Sequence, residues 1–136
     1  MRDIKFRGKR IDNGDWAYGY LVGSSRSAMD NQRFITVGAV YQAYEVDPES
    51  VGQFTGLKNK NGVEIYEGDI VKYSYVSLLD GKERSRIWFV ECENGMYWLR
   101  HIGDLRRYDN FLYLKFNRVE VIGNIYKNPE LLEVEK

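Results

Sequence analysis

Three Asn-Gly pairs, at 13–14, 61–62 and 94–95, punctuate a chain that is otherwise rich in aromatic and β-branched residues. Asn and Gly readily adopt the left-handed conformations of tight turns, so each pair marks a place where the chain doubles back. The first lies in "DIKFRGKRIDNGDWAYGYLVG" (3–23) and predicts a hairpin with a two-residue loop. In that register Asp12 faces Asp15, Ile11 faces Trp16, Lys9 faces Tyr18, Arg7 faces Tyr20 and Lys5 faces Val22. Strand side chains alternate between faces, so Ile4, Phe6, Gly8, Ala17, Gly19 and Leu21 share the other side and are expected to point inward. The third pair lies in "RIWFVECENGMYWLRHI" (86–102) and predicts a second hairpin. It sets Cys92 against Tyr97, Val90 against Leu99 and Trp88 against His101. Both of its faces are largely apolar, so each needs a cover, from the N-terminal hairpin or a second subunit.

Composition points the same way. Eleven Tyr, six Phe and three Trp favour strands, and only two prolines interrupt them. The 136 residues suit one domain or two small lobes. A chain this long buries roughly two-thirds of its unfolded surface, enough to fold without a metal or disulfide. Twenty basic and twenty acidic residues cancel, which argues against indiscriminate nucleic-acid binding but leaves room for a local basic face. Cys92 is the only cysteine, so there is no disulfide framework and no cysteine-based zinc site. No apolar run reaches membrane-spanning length, and Arg2, Asp3 and Lys5 interrupt any signal-peptide pattern. A soluble cytoplasmic protein without a cofactor or membrane partner is expected.

Between the hairpins, 24–31 reads as a polar loop, and "RFITVGAVYQAYEVD" (33–47) as strand with a bend at Gly38. A short helix over 40–44 is an alternative there. Asp47-Pro48 marks a boundary, because proline disfavours a helical residue before it. Residues 103–118 read as loop with one strand in "FLYLKF" (111–116), and "VEVIGNIY" (119–126) as a further strand. Asn128-Pro129-Glu130 predicts a short helical turn, before an acidic tail that frays.

The middle stretch "TGLKNKNGVEIYEGDIVKY" (55–73) loads Glu64, Glu67 and Asp69 around a glycine-punctuated turn. Such acids could hold a hard cation, which prefers several oxygen ligands. They lack an EF-hand pattern and a histidine, whereas a sharp corner needs just these residues. Asn61 and Gly62 form a turn, Gly68 takes positive φ, and Asp69 accepts from nearby backbone amides. A structural corner is the expectation.

"IKFRGKR" at the start, "GQFTGLKNKNGVEIYEGDIVKY" in the middle and "VIGNIYKNPELL" at the end together resemble the YopX family of phage and prophage proteins. Their order and spacing cover nearly the whole chain, leaving 24–31 and 76–86 as variable connectors. The resemblance implies an all-β fold with a minor helix. An N-terminal β-hairpin region (1–50) would precede an SH3-like barrel (51–136) that begins near the central motif and ends in the short helical turn. It implies no activity and no site residues.

Two constellations remain. Cys92 and His101 could be nucleophile and base, but the hairpin register separates them by four residues, about 13 Å along a strand. Cys92 is expected to be a small buried hydrophobe instead. Phosphate-binding glycine loops, H-E-x-x-H and G-x-S-x-G are absent from the sequence. Lys5, Arg7 and Lys9 interleave with Tyr18 and Tyr20 on the outer face of the first hairpin. That face could stack bases and meet phosphates, contact a protein, or be a solvated surface of tyrosine rings covered by Lys and Arg stems. The leading expectation is a non-enzymatic phage accessory protein acting in host cytoplasm through protein contacts, with another protein or a second copy as partner. A nucleic-acid-binding module and a metal-dependent enzyme using the 64–69 acids are its rivals.

Overall fold

The computed structural model describes residues 4–23, 32–37, 42–93, 95–101 and 108–133. The expected loop at 24–31, the bend at Gly38, the turn residue Asn94, the loop over 103–107 and the fraying tail at 134–136 lie outside them. The described chain is mostly β, with two antiparallel sheets, and divides into units of residues 1–56 and 57–136.

The first unit contains β1 (Phe6–Lys9), β2 (Trp16–Gly23), β3 (Arg33–Val37), β4 (Gln42–Val46) and the start of β5 (Gly52–Lys58), in the order β4-β3-β2-β1-β5. Strand β4 takes residues that the alternative helix would have used. Ala17, Ile35 and Val46 form the buried core, with Phe6, Leu21, Tyr44 and Val51 packed on it. Gly8 is required by this packing, since a Cβ there would lie 2.7 Å from Val46. Ile4, expected inward, is instead exposed. It precedes β1, so strand alternation does not govern it.

The first hairpin forms, but with a different register. Phe6 pairs with Gly19, Arg7 with Tyr18 and Lys9 with Trp16, a shift of two places on β2 from the expected pairing. The loop holds four residues, Ile11 to Gly14. It is closed by the Arg10 amide donating to the Asp15 carbonyl at 2.8 Å and the Gly14 amide donating to the Arg10 carbonyl at 3.0 Å. Gly14 has φ 76°, and Asn13 Oδ1 accepts from the Asp15 amide at 2.9 Å. The end of β1 also pairs beyond the hairpin. Arg10 bridges Val46, the Asp47 amide donates to Lys9, and the Ile11 amide donates to Glu45. The end of β1 is therefore paired on both edges, to Asp15 on the hairpin side and to the end of β4 on the other. A two-place shift preserves face parity, so the strand residues keep their expected sides of the sheet.

Asp47 ends β4 by accepting from the Glu49 amide at 3.1 Å, capping a 3-10 turn at Pro48–Ser50. The boundary expected at Asp47-Pro48 is present. Strand β5 then runs across the boundary between the units, and its far end forms a hairpin with β6 (Glu64–Tyr66).

The second unit carries a five-stranded sheet of β7 (Asp69–Val76), β8 (Glu83–Glu93), β9 (Met96–His101), β10 (Tyr108–Phe111) and β11 (Val119–Asn124). Its order is β10-β9-β8-β7-β11. The β8–β9 register is the expected one, with Cys92 against Tyr97, Val90 against Leu99 and Trp88 against His101. Ile65, Val71, Trp88, Val90, Leu99, Leu112 and Val119 make the core. The strand order is open, ending on β10 and β11, so closure into the SH3-like barrel is not seen among the described residues.

"FLYLKF" is not a strand beyond Phe111. Leu112–Lys115 form a helical turn, α1, followed by a 3-10 turn at Phe116–Arg118. Leu112 is fully buried, and Phe116 packs on the same core. The helical turn and the 3-10 turn after it bring both residues to one core. The short helical turn expected near the end is present as a 3-10 turn, Pro129–Glu133, with the Leu131 amide donating to the Asn128 carbonyl at 3.0 Å.

Candidate binding face and structural corner

Strand β1 lies between β2 and β5, with Phe6 opposite Gln53 and Arg7 opposite Gly52 on the β5 side. Lys5, Arg7 and Lys9 thus share a face with Trp16, Tyr18 and Tyr20, as expected from alternation. Burial divides the set. Arg7 is only 6% exposed, and its guanidinium carbon stands 5.0 Å from the Trp16 ring centroid. Lys5 Nζ lies 5.2 Å from the ring of buried Phe54. Arg7 is therefore not the surface cation that the outer-face reading required. A long side chain on an interior strand lies across its neighbours, and here it covers an indole.

What the face does present is apolar and aromatic. Tyr20 is 67% exposed and Ile4 62%, with Tyr18 and Val22 beside them also exposed. Ile4, Lys5, Gly19 and Tyr20 line a shallow recess of about 210 Å³. Gly19 permits close strand approach, since a Cβ there would fall 1.9 Å from the Thr36 carbonyl oxygen. Chemically this strip can bury ring faces and offer tyrosine hydroxyls, the composition of a protein-contact surface.

The corner at 59–69 is built as expected and from one more residue. Gly68 has φ 86° and Gly62 φ 78°. The Gly68 amide donates to the Val90 carbonyl at 2.9 Å, and the Ile125 amide donates to the Gly68 carbonyl at 2.9 Å. Asp69, 1% exposed, accepts from the Tyr66 amide at 2.8 Å. The residue not foreseen is Asn59. Its Oδ1 accepts from the Asn61 amide at 2.8 Å and the Val63 amide at 3.0 Å. An Asn two places before Asn-Gly is itself a turn signal, and could have pointed to it. Glu64 Oε1 accepts from the Tyr66 hydroxyl at 3.2 Å. Among the described residues no group of three or more His, Cys, Asp or Glu is placed to hold a metal ion.

Cys92 is exposed, which corrects the expectation of a buried thiol. It lies near the turn end of β8, past the last fully buried residue, Val90. In the backbone register His101 stands opposite Trp88, four residues along β8 from Cys92, so the hairpin does not bring the two positions together.

One feature escaped the sequence reading altogether. The segment 76–86, set aside as a connector, is the end of a long β7–β8 hairpin with two fully exposed leucines, Leu78 and Leu79. Asp80-Gly81 is a hairpin signal comparable to Asn-Gly and would have located this turn.

These features define a mostly β protein of two units, with a buried structural corner and exposed apolar strips. The chain belongs to the YopX family, whose model, described as YopX protein, matches residues 5–133. Protein EF1440 from Enterococcus faecalis is similar at 24% identity and a TM-score of 0.58, over 97% of this chain and 99% of that one. Protein yopX from Bacillus subtilis is similar at 21% identity and a TM-score of 0.56, over 100% of both chains. At these identities the likeness shows the fold. No curated protein matches the chain. Among the described residues no helix is long and apolar enough to cross a membrane.

Proposed function

We propose that this chain is a non-enzymatic phage or prophage accessory protein, a protein-binding module that acts in the host cytoplasm. The observation that carries the proposal is the exposed strip of Tyr18, Tyr20, Val22 and Ile4. Contiguous exposed apolar residues mark interaction surfaces, and tyrosine is enriched at their centres. The nucleic-acid rival needed Arg7 at the surface, and Arg7 instead lies buried over Trp16. The proposal includes an SH3-like character for the second unit, supported by five antiparallel strands around one apolar core.

The test is a pull-down from host lysate with and without nuclease, using wild-type protein and a Tyr18→Ala/Tyr20→Ala variant. A specific protein retained after nuclease treatment, and lost with the variant, supports the proposal. Binding abolished by nuclease and falling steeply with added salt would favour the nucleic-acid module. Retention by the variant would remove the strip as the contact surface.

A further inference from the structure

The β7–β8 hairpin pairs without interruption from Ile70–Phe89 out to Val76–Glu83. Its loop is tightly held. The Ser77 amide donates to the Lys82 carbonyl at 2.9 Å, and the Gly81 amide donates to the Ser77 carbonyl at 2.9 Å. Ser77 Oγ accepts from the Leu79 amide at 3.2 Å, Asp80 Oδ1 accepts from the Lys82 amide at 2.9 Å, and Asp80 forms an ion pair with Arg84. Despite this order Leu78 and Leu79 are as exposed as in an extended chain, at 102% and 99%.

Turn chemistry does not account for Leu79. The Ile11–Gly14 loop has the same two closing hydrogen bonds and a glycine of positive φ at the same place. Its second position is Asp12, which pairs with Arg10. A polar residue therefore satisfies this loop, and Leu79 is not needed to make the turn.

The arm is also stiffened from its base. Tyr75 stacks on Tyr73 at 5.6 Å, and Tyr73 stacks on core Trp88 at 5.4 Å. Arg86 lies 6.0 Å from the Tyr75 ring and Lys115 Nζ 4.9 Å from the Tyr73 ring. An isolated two-stranded ribbon is marginal in water, so a ladder anchored on a buried indole is what holds the tip out. The rings are engaged by one another and by cations, which leaves little open face for stacking bases.

We propose that the β7–β8 tip is a docking element whose Leu78 and Leu79 fill an apolar cleft, rimmed by acidic side chains, on a partner protein. Charge selects the rim. Asp80 offsets Arg84, and alternation puts Arg86 on the face of Tyr73 and Tyr75, where Lys115 joins it. With Lys82 in the loop these leave the arm net basic against Glu83 on the opposite face. The ionised Asp80 beside Leu79 selects protein over lipid. Entering hydrocarbon would carry that carboxylate with the leucines, whereas at a protein rim it stays in contact with water. The inference shares with the proposed function only that the occupant is a protein, and it uses a different surface.

The experiment uses the full chain with p-benzoylphenylalanine at Val76, photolysed in bacterial lysate. Unlabelled wild-type protein and a Leu78→Ser/Leu79→Ser variant compete. Expected is one discrete protein adduct, with about thirtyfold more of the variant than of the wild type needed for half competition. The variant should melt with the wild type, because both side chains are already in water. A Tyr20 probe, read in parallel, reports the β2 strip separately. Equal competition by both proteins, or no adduct, overturns the proposal. An adduct of two copies of this chain would replace it with self-association. Co-sedimentation with phosphatidylglycerol vesicles that the double variant loses would replace it with lipid contact.

Discussion

The Asp69 carboxylate reaches back across Gly68 to accept a hydrogen bond from the Tyr66 amide at 2.8 Å. With Asp69 buried and Gly68 at φ 86°, this pair turns the chain from β6 into β7. Gly68→Val should destabilise the protein by several kcal/mol, since positive φ strains a β-branched residue by about 1–3 kcal/mol. Its Cβ would also lie 3.2 Å from Tyr126 Cε2. Asp69→Ala should cost roughly 1–3 kcal/mol by stranding a buried amide. Urea unfolding of both variants checks this, and unchanged midpoints would remove the corner from the account of the fold.

Arg7 and Tyr20 separate structure from surface on adjacent strands. Arg7→Ala should lower stability by roughly 1–3 kcal/mol, because it uncovers Trp16 and empties a buried site. Tyr20→Ala should stay within about 0.5 kcal/mol, as exposed substitutions do. Thermal melts distinguish the two, and a neutral Arg7→Ala would return that residue to the list of surface cations.

Exposure of Cys92 predicts its chemistry. The native thiol should react with a maleimide nearly as fast as in unfolded protein, and Cys92→Ala should change stability by no more than about 0.5 kcal/mol. A thiol that reacts only after unfolding would contradict the exposure.

The Asp80 carboxyl should titrate below its ordinary 3.8, held down first by the Lys82 amide and then by Arg84. A depressed pKa makes this contribution present above the ordinary carboxylate range and lost as pH falls through the lower, folded value. Carbon-detected NMR titration should show the shift, and Arg84→Ala should reverse part of it while the Lys82 contact keeps the rest. An Asp80 that titrates at or above 3.8 would mean the tip is not held as described.

What was legible in the sequence is what short-range chemistry controls. The turn at 94–95 and the alternation around it suffice to set Cys92 against Tyr97, because a tight turn dictates the next pairs. Gly68 and Asp69 were legible for the same reason, since a positive φ and an acceptor one residue on act within a single corner. Family motifs carried the mostly β fold. Asn13-Gly14 looked equally clear, yet Arg10 pairs with Asp15 across a four-residue loop and bridges Val46, a partner far along the chain that no local signal names. Arg7 is buried with its guanidinium over Trp16, a packing that face parity alone does not reveal. Leu112 leaves its strand for a helical turn because the core needs it and Phe116 on one side. Local sequence determines turns and face parity, since both are set by a few adjacent dihedrals. Only the tertiary structure decides which outward side chain is covered and which, like Leu78 and Leu79, is left in water.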